Sequence, residues 1–336
     1  MTRLTMAKAI NAGLRRALAE DDRVVLMGED IGALGGVYRV TDGLQRDFGA
    51  DRVMDTPLAE SGIIGTAVGL AYRGYRPVCE IQFDGFIYPA FDQIVSQVSR
   101  MHYRTHGDVT LPITIRVPFG GGIGAAEHHS DSPEAYFAHT PGLRVVSVSD
   151  SQNAYTLIQQ AIACGDPVIY FEPKRRYHVA CEVDESASLA DAAPMSVAHV
   201  VSQGTDVTLV AYGALVATAQ DAAIAASDDG VSIEVIDLRS LSPIDFHTVE
   251  ASVRKTGRLV IAHEAAQSGG LGAEVAAGIT ERCFAQLEHA PVRITGFDIP
   301  FPPAKLESHH VPDLDRILDG VDRALGRPNS LTGVEE

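Results

Sequence analysis

The stretch DTPLAESGIIGTAVGLAYRGYRPVCEIQFDGF, residues 55–86, decides how the chain is read. It holds one carboxylate, Glu60, between a proline and a run of small apolar residues. That run, Ser61 to Tyr72, contains no charge and looks destined for the interior. RPVCEIQF (76–83) follows, β-branched and bounded by proline, and has the look of a buried strand. A helical segment leading into a buried strand is one unit of a parallel α/β sheet.

The same unit recurs outward in both directions. RVVLMGED (23–30), LPITIRVP (111–118), LRVVSVSD (143–150) and DPVIYFEP (166–173) are further strands. Between them, 89–103 places Phe91, Ile94, Val95, Val98 and Met101 on one helical face, with Pro89 in the first turn. A helix from Gln152, capped by Ser149 or Asp150, ends at Gly165. The first 22 residues form an amphipathic helix pattern with no continuous apolar region, so they are not a signal peptide. Residues 184–196, DESASLADAAPMS and its neighbours, are small and polar and mark a linker. A second series follows with strands at 206–213, 231–238, 257–264 and 290–297. The expectation is two doubly wound, mostly parallel α/β domains, 1–183 and 197–325, with a tail at 326–336.

The chain has 336 residues, 46% hydrophobic and 21% charged, with a formal charge of −17. This acidity argues against nucleic acid and anionic membrane surfaces as partners. No run is long enough to span a bilayer. The four cysteines are scattered without a C-x-x-C pair and suit a reducing cytoplasm.

Three places carry possible chemistry. In PFGGGIGAAEHHSDSPEAYFAH (118–139), Gly120, Gly122 and Ala125 fit a dinucleotide fingerprint, which needs a helix directly after it. Glu127, His128, His129, Asp131 and His139 could hold a metal, although adjacent histidines seldom share one ion. Three histidines beside a glycine-rich loop also suit proton transfer near neutral pH. Glu60 could serve only the dipole of its helix, or act as a proton carrier in an apolar setting. The aromatics Phe83, Phe86, Tyr88 and Phe91 are core packing by default. They follow a strand at the end where open α/β sheets place ligands, and an aromatic there can stack on a flat heterocycle.

Taken together, MGEDIGALGGVYRVTDGL (27–44), DTPLAESGIIGTAVGLA (55–71), EIQFDGFIYPAFDQIV (80–95), HHSDSPEAYFAHTPGLRVV (128–146), DPVIYFEPKRRY (166–177), EVIDLRSLSPID (234–245), KTGRLVIAHEA (255–265) and GFDIPFPP (296–303) resemble the beta subunit of the thiamine-diphosphate-dependent 2-oxo acid dehydrogenases. The resemblance covers about residues 3–325. It implies a transketolase-like pyrimidine-binding domain and a transketolase C-terminal-like domain. HSxSPEAxFAH and FEPKxxY look closer to the branched-chain enzyme, 3-methyl-2-oxobutanoate dehydrogenase, than to the pyruvate or acetoin enzymes, although Asp131 stands where glutamine is usual.

By the same resemblance Glu60 matches the glutamate that hydrogen-bonds the cofactor's aminopyrimidine and favours its proton-abstracting tautomer. Phe86 matches the aromatic stacked on that ring, with Leu58 and Gln82 close by. His129 matches the histidine that helps transfer the acyl group to a lipoyl arm. A structural potassium ion would lie among backbone oxygens of Ile113, Ala161, Cys164 and Asp166. The family's diphosphate–Mg2+ motif, G-D-G with a later Asn-Asn, is missing here. The resemblance therefore implies an alpha subunit supplying that half, an alpha2beta2 tetramer, and docking to a lipoyl acyltransferase core. A non-catalytic nucleotide-binding scaffold subunit is the alternative from another class.

Overall fold

The computed structural model describes residues 1–327; most of the expected tail lies outside the described residues. Two compact units are present, one built from 1–123 and 128–195, the other from 124–127 and the residues from 196 onward.

The first unit opens with strand β1 (Thr2–Thr5) and helix α1 (Met6–Glu20), followed by β2 (Val24–Gly28), α2 (Leu44–Phe48), β3 (Val53–Asp55), α3 (Glu60–Tyr72) and β4 (Arg76–Glu80). Then come α4 (Met101–Arg104), β5 (Thr114–Phe119), α5 (Glu134–Ala138), β6 (Arg144–Ser147), α6 (Ser151–Ala163), β7 (Val168–Pro173) and β8 (Ala180–Val183). Six parallel strands of this unit lie in the order β6-β7-β5-β4-β2-β3. Their residues are almost all buried, as parallel strands covered on both faces require. Helices α1 and α6 pack together over one face through Ile10, Leu14, Leu157 and Ile158. Asp150 caps α6 by accepting the Asn153 N–H at 2.7 Å.

Three local expectations change. The helix at the N-terminus starts only at Met6, because Thr5 caps it and residues 2–5 pair antiparallel with β8. Residues 84–104 form no single α-helix. A 3-10 helix (Asp84–Ala90) containing Pro89 leads through Phe91 and Asp92 into a π-helical turn (Gln93–Val98) and then α4. Proline has no N–H to bond with the preceding turn, and the chain re-registers with an i to i−5 bond from Ser99 N–H to Ile94 at 2.9 Å. Finally, α3 buries only one face: Ile63, Ile64, Ala67 and Ala71 are inside, whereas Ser61, Gly62, Gly65, Thr66 and Gly69 are exposed in the single chain. Small residues leave little apolar area on that side.

The core of the first sheet contains a buried cation. Arg116 on β5, 1% exposed, donates from Nε and Nη2 to Glu172 on β7 at 2.7 and 2.9 Å, and from Nη1 to Glu80 on β4 at 2.5 Å. Tyr177 donates its hydroxyl to Glu172 at 2.6 Å. Burial works against the guanidinium's charge, but Glu172 and Glu80 outweigh it and hold Arg116 protonated. Burial raises the Glu80 carboxyl, and Arg116 opposes the shift.

The second unit runs β9 (His199–Ser202), β10 (Val207–Ala211), α7 (Leu215–Asp228), β11 (Ile233–Asp237), β12 (Ser240–Ser242), α8 (Phe246–Thr256), β13 (Leu259–Ala266), α9 (Leu271–Cys283), β14 (Val292–Gly296), α10 (Glu307–His310) and α11 (Leu314–Ala324). Its sheet order is β14-β13-β10-β11-β9, parallel except for the antiparallel edge strand β9. Leu209, Val260, Ile317 and Val321 lie in its core.

Two substitutions test the packing. A Cβ on Gly13 of α1 would meet Ile158 Cγ2 at 2.4 Å and the Tyr155 carbonyl at 3.0 Å, while one on Gly69 of α3 meets nothing within 4 Å. In urea unfolding of the isolated chain, Gly13→Ala should destabilise by about 1–3 kcal/mol. Gly69→Ala should stabilise by about 0.5–1 kcal/mol. Arg116→Met leaves two buried carboxylates without their cation and should cost about 3–5 kcal/mol. The loss should shrink as pH falls. Burial raises the folded-state pKa of Glu80, which binds a proton more readily in the native chain than in the unfolded one, so acidification favours the folded form.

Candidate active site

The chain order reverses between β2 and β4. From β2 it passes to β3 on one side, then crosses to β4 on the other. The carboxyl ends on either side of such a reversal open a crevice, the usual ligand site of an open α/β sheet. Glu29 follows β2 directly, Gln82 to Asp84 follow β4, and Glu60 is the first residue of α3, the helix after β3.

Glu60 is 8% exposed, and no side chain caps its helix. Its carboxylate makes no hydrogen bond to another group among the described residues, so it is free to accept one from a ligand. Glu29 is its electrostatic neighbour. Burial raises the Glu29 carboxyl first, and the charges of Glu60 and Asp30 raise it further. Glu29 Oε1 is buried without a partner. Gln82 donates to the Glu29 carbonyl at 3.2 Å and to Asp30 at 3.3 Å, which braces the end of β2. Leu58 is 82% exposed in the single chain.

Aromatic rings line the neighbouring wall. Phe83 and Phe86 meet edge to face at 5.9 Å. The His129 ring lies 4.2 Å from Phe83 and 5.0 Å from Phe86, and His128 is 4.3 Å from His129. Tyr38 packs edge-on to Phe83 and stacks on Tyr177. Behind them Asp84 and Lys174 form an ion pair of two fully buried side chains. Burial pushes the Asp84 carboxyl up to about 6, with Lys174 opposing the shift. The arrangement joins a proton-accepting carboxylate, a second acid beside it, and an aromatic–imidazole wall. It can hold a flat heterocycle with a proton-bearing nitrogen, and the unpartnered Glu29 and Glu60 oxygens fit such a group.

The sequence reading passed over Glu29, Tyr38, Asp84 and Lys174. For Glu29 a signal existed, since an acid directly after a fully apolar strand sits at a sheet's ligand end. Lys174 and Asp84 lie 90 positions apart and gave none.

The alternatives fare differently. Gly120, Gly122 and Gly124 have φ of 78°, 99° and 68°, but a three-residue 3-10 turn follows them, not the helix a dinucleotide fingerprint requires. No three His, Cys, Asp or Glu side chains converge as a metal set among the described residues. At the positions implied for potassium, the Ile113 carbonyl accepts from Val168 N–H at 2.9 Å and that of Ala161 from Cys164 N–H at 3.2 Å. The Cys164 carbonyl accepts from the Arg76 guanidinium at 3.2 Å, and Asp166 accepts from Arg144 at 2.9 Å. No helix among the described residues is long and apolar enough to cross a membrane.

Residues 2–179 match the pyrimidine-binding domain of transketolase, and residues 196–317 match the transketolase C-terminal domain. The chain is 56% identical over 322 residues to the pyruvate dehydrogenase E1 component subunit beta of Leifsonia xyli, covering 96% of this chain and 95% of that protein. It is also 56% identical over 326 residues to the 3-methyl-2-oxobutanoate dehydrogenase subunit beta of Mycobacterium tuberculosis, covering 97% and 93%. A solved split-gene transketolase, described as an inactive beta4 tetramer, superposes with a TM-score of 0.78 at 25% identity, covering 96% of this chain and 98% of that one. The fold has the expected class, two transketolase-like units with mostly parallel sheets, and the chain belongs to the beta subunits of the E1 components of thiamine-diphosphate-dependent 2-oxo acid dehydrogenase complexes.

Proposed function

We propose that this beta subunit serves a branched-chain 2-oxo acid dehydrogenase, acting on 3-methyl-2-oxobutanoate and its homologues. The observation that carries the reading is the conjunction of Glu60 beside Glu29 with the Phe83–Phe86–His129 wall at one sheet reversal. Bound thiamine diphosphate supplies the electron sink for loss of CO2. Glu60 accepts and shares a proton at the pyrimidine nitrogen, and Glu29, its carboxyl raised by burial and by the charge of Glu60, is a second acid at that corner. Phe86, with Leu58 and Gln82, holds the pyrimidine. His129 assists transfer of the acyl group to the lipoyl arm. An alpha subunit in an alpha2beta2 tetramer supplies the diphosphate and Mg2+ half. The second unit provides subunit contacts and docks the acyltransferase core, and the free cysteines suit a cytoplasmic complex.

The apolar, aromatic site favours a branched aliphatic side chain over the methyl of pyruvate. The similarity to the Leifsonia xyli pyruvate subunit supports pyruvate as the second reading. With two more buried carbons at about 0.8 kcal/mol each, kcat/KM for 3-methyl-2-oxobutanoate should exceed that for pyruvate by roughly tenfold. Steady-state assays of the enzyme reconstituted with its alpha subunit decide it, and a preference for pyruvate overturns the substrate assignment.

Glu60→Gln keeps the shape and a hydrogen bond but not the proton exchange. The variant should assemble normally and lose decarboxylation roughly a thousandfold, within the range for a removed acid–base group. Turnover near wild type in the assembled variant excludes this role for Glu60.

A further inference from the structure

The segment that carries His129 has little regular structure, only the short turn Glu127–His129 between β5 and α5. Its backbone is nevertheless held on both sides of the histidine. On the far side, Asp84 Oδ2 accepts the Asp131 N–H at 2.6 Å, and the Asp131 carbonyl accepts from Gly120 N–H at 2.8 Å. On the near side, a Cβ on Gly85 would lie 2.2 Å from the His128 carbonyl oxygen, so the turn after β4 touches the loop backbone with no room for a methyl group. The other Asp84 oxygen accepts from the Lys174 ammonium, which comes from the end of β7, and both side chains are 0% exposed.

A buried ion pair is a weak way to gain stability, because apolar replacements of both partners are often as stable. Accepting one backbone N–H does not need a charge either. What the pair adds is direction: a carboxylate clamped by an ammonium from a second strand end cannot rotate away from Asp131. The acceptor therefore stays where the loop needs it, and the His129 ring stays against Phe83 and Phe86.

We propose that Asp84, clamped by Lys174, is the positioning residue for His129, with Gly85 providing the surface on which the loop backbone rests. The inference rests on the reading of His129 as the residue that assists acyl transfer. The contacts it uses, among Asp84, Gly85, Gly120, His128, Asp131 and Lys174, all lie within the first unit.

The test uses the full enzyme assembled with its alpha subunit and measures acylation of a free lipoyl domain. D84A/K174M removes both charges and the acceptor for Asp131 N–H; D84N/K174M removes the same charges and keeps an acceptor. D84A/K174M should lower the acylation kcat roughly tenfold with KM for the lipoyl domain little changed, the signature of a lost transition-state contact. D84N/K174M should recover only part of the loss, because the acceptor is kept but no ammonium holds it in place. In a His129→Ala background, D84A/K174M should cost nothing further, because residues acting through one another are not additive. An equal loss with and without His129, or no recovery by the asparagine, overturns the proposal. Should D84A/K174M not assemble, D84N/K174M carries the test, since it keeps an acceptor and removes the clamp: its partial loss of kcat should vanish in the His129→Ala background, and no loss at all overturns the role of the clamp. Full acylation by His129→Ala alone refutes the role of His129 and this inference with it. A crippled His129→Ala beside an unimpaired D84A/K174M refutes only the positioning role.

Discussion

One guanidinium holds the first unit's sheet together where it matters. Arg116 lies on β5, between β4 and β7, and binds a carboxylate from each. All three strands end within a few residues of it, and from those ends come Gln82 to Asp84, the glycine loop leading to His129, and Lys174. A parallel sheet fixes its strands by backbone bonds along their length but leaves the carboxyl ends free to splay. Cross-linking three ends through one buried cation removes that freedom. Removing the cation strands two acids, so the cluster tolerates change at Arg116 poorly, whereas replacing all its members together costs much less.

The same logic appears twice more in smaller form. Asp84 and Lys174 join the ends of β4 and β7 a second time, directly under the aromatic wall. Gln82 ties the segment after β4 to the backbone at Glu29. In contrast, Glu29 and Glu60 are both buried, and the charge of Glu60 raises the Glu29 carboxyl. Stability alone does not favour two neighbouring buried acids. A ligand that brings a proton-bearing nitrogen to them would relieve the conflict. Perturbed acids of this kind concentrate at functional sites, while behind them Asp84 is paired with Lys174.

Most of the alternating architecture was legible in the sequence. VVLMG, PVCE and TIRVPF are apolar enough on both faces to demand a covered parallel sheet. Asp150 announced its helix, and its capping bond is present. The local misreadings came from rules that see one periodicity at a time. Pro89 suited a first helical turn, yet it lies inside the 3-10 turn Asp84–Ala90, which leads into π geometry, and Gly85 of that turn lies against the His128 backbone. The uncharged run in α3 looked wholly interior, yet glycines and small polar residues put one of its faces outside the chain's own core. Nothing local distinguishes a face buried by its own chain from one left open.

The sequence by itself determined which segments become buried strands, the order in which helices cover them, and the residue types at the strand ends, because burial and periodicity are local properties. It also supplied motifs enough to recognise the family. Only the tertiary structure decided that Glu29 lies beside Glu60, that Phe83 and Phe86 face His129, and that Asp84 meets Lys174 across 90 positions. Those meetings depend on strand order, with β4 crossing to the far side of β2 and β7 lying next to β5. Strand order follows from the packing of whole helices on whole sheets, and no window of sequence contains that energy.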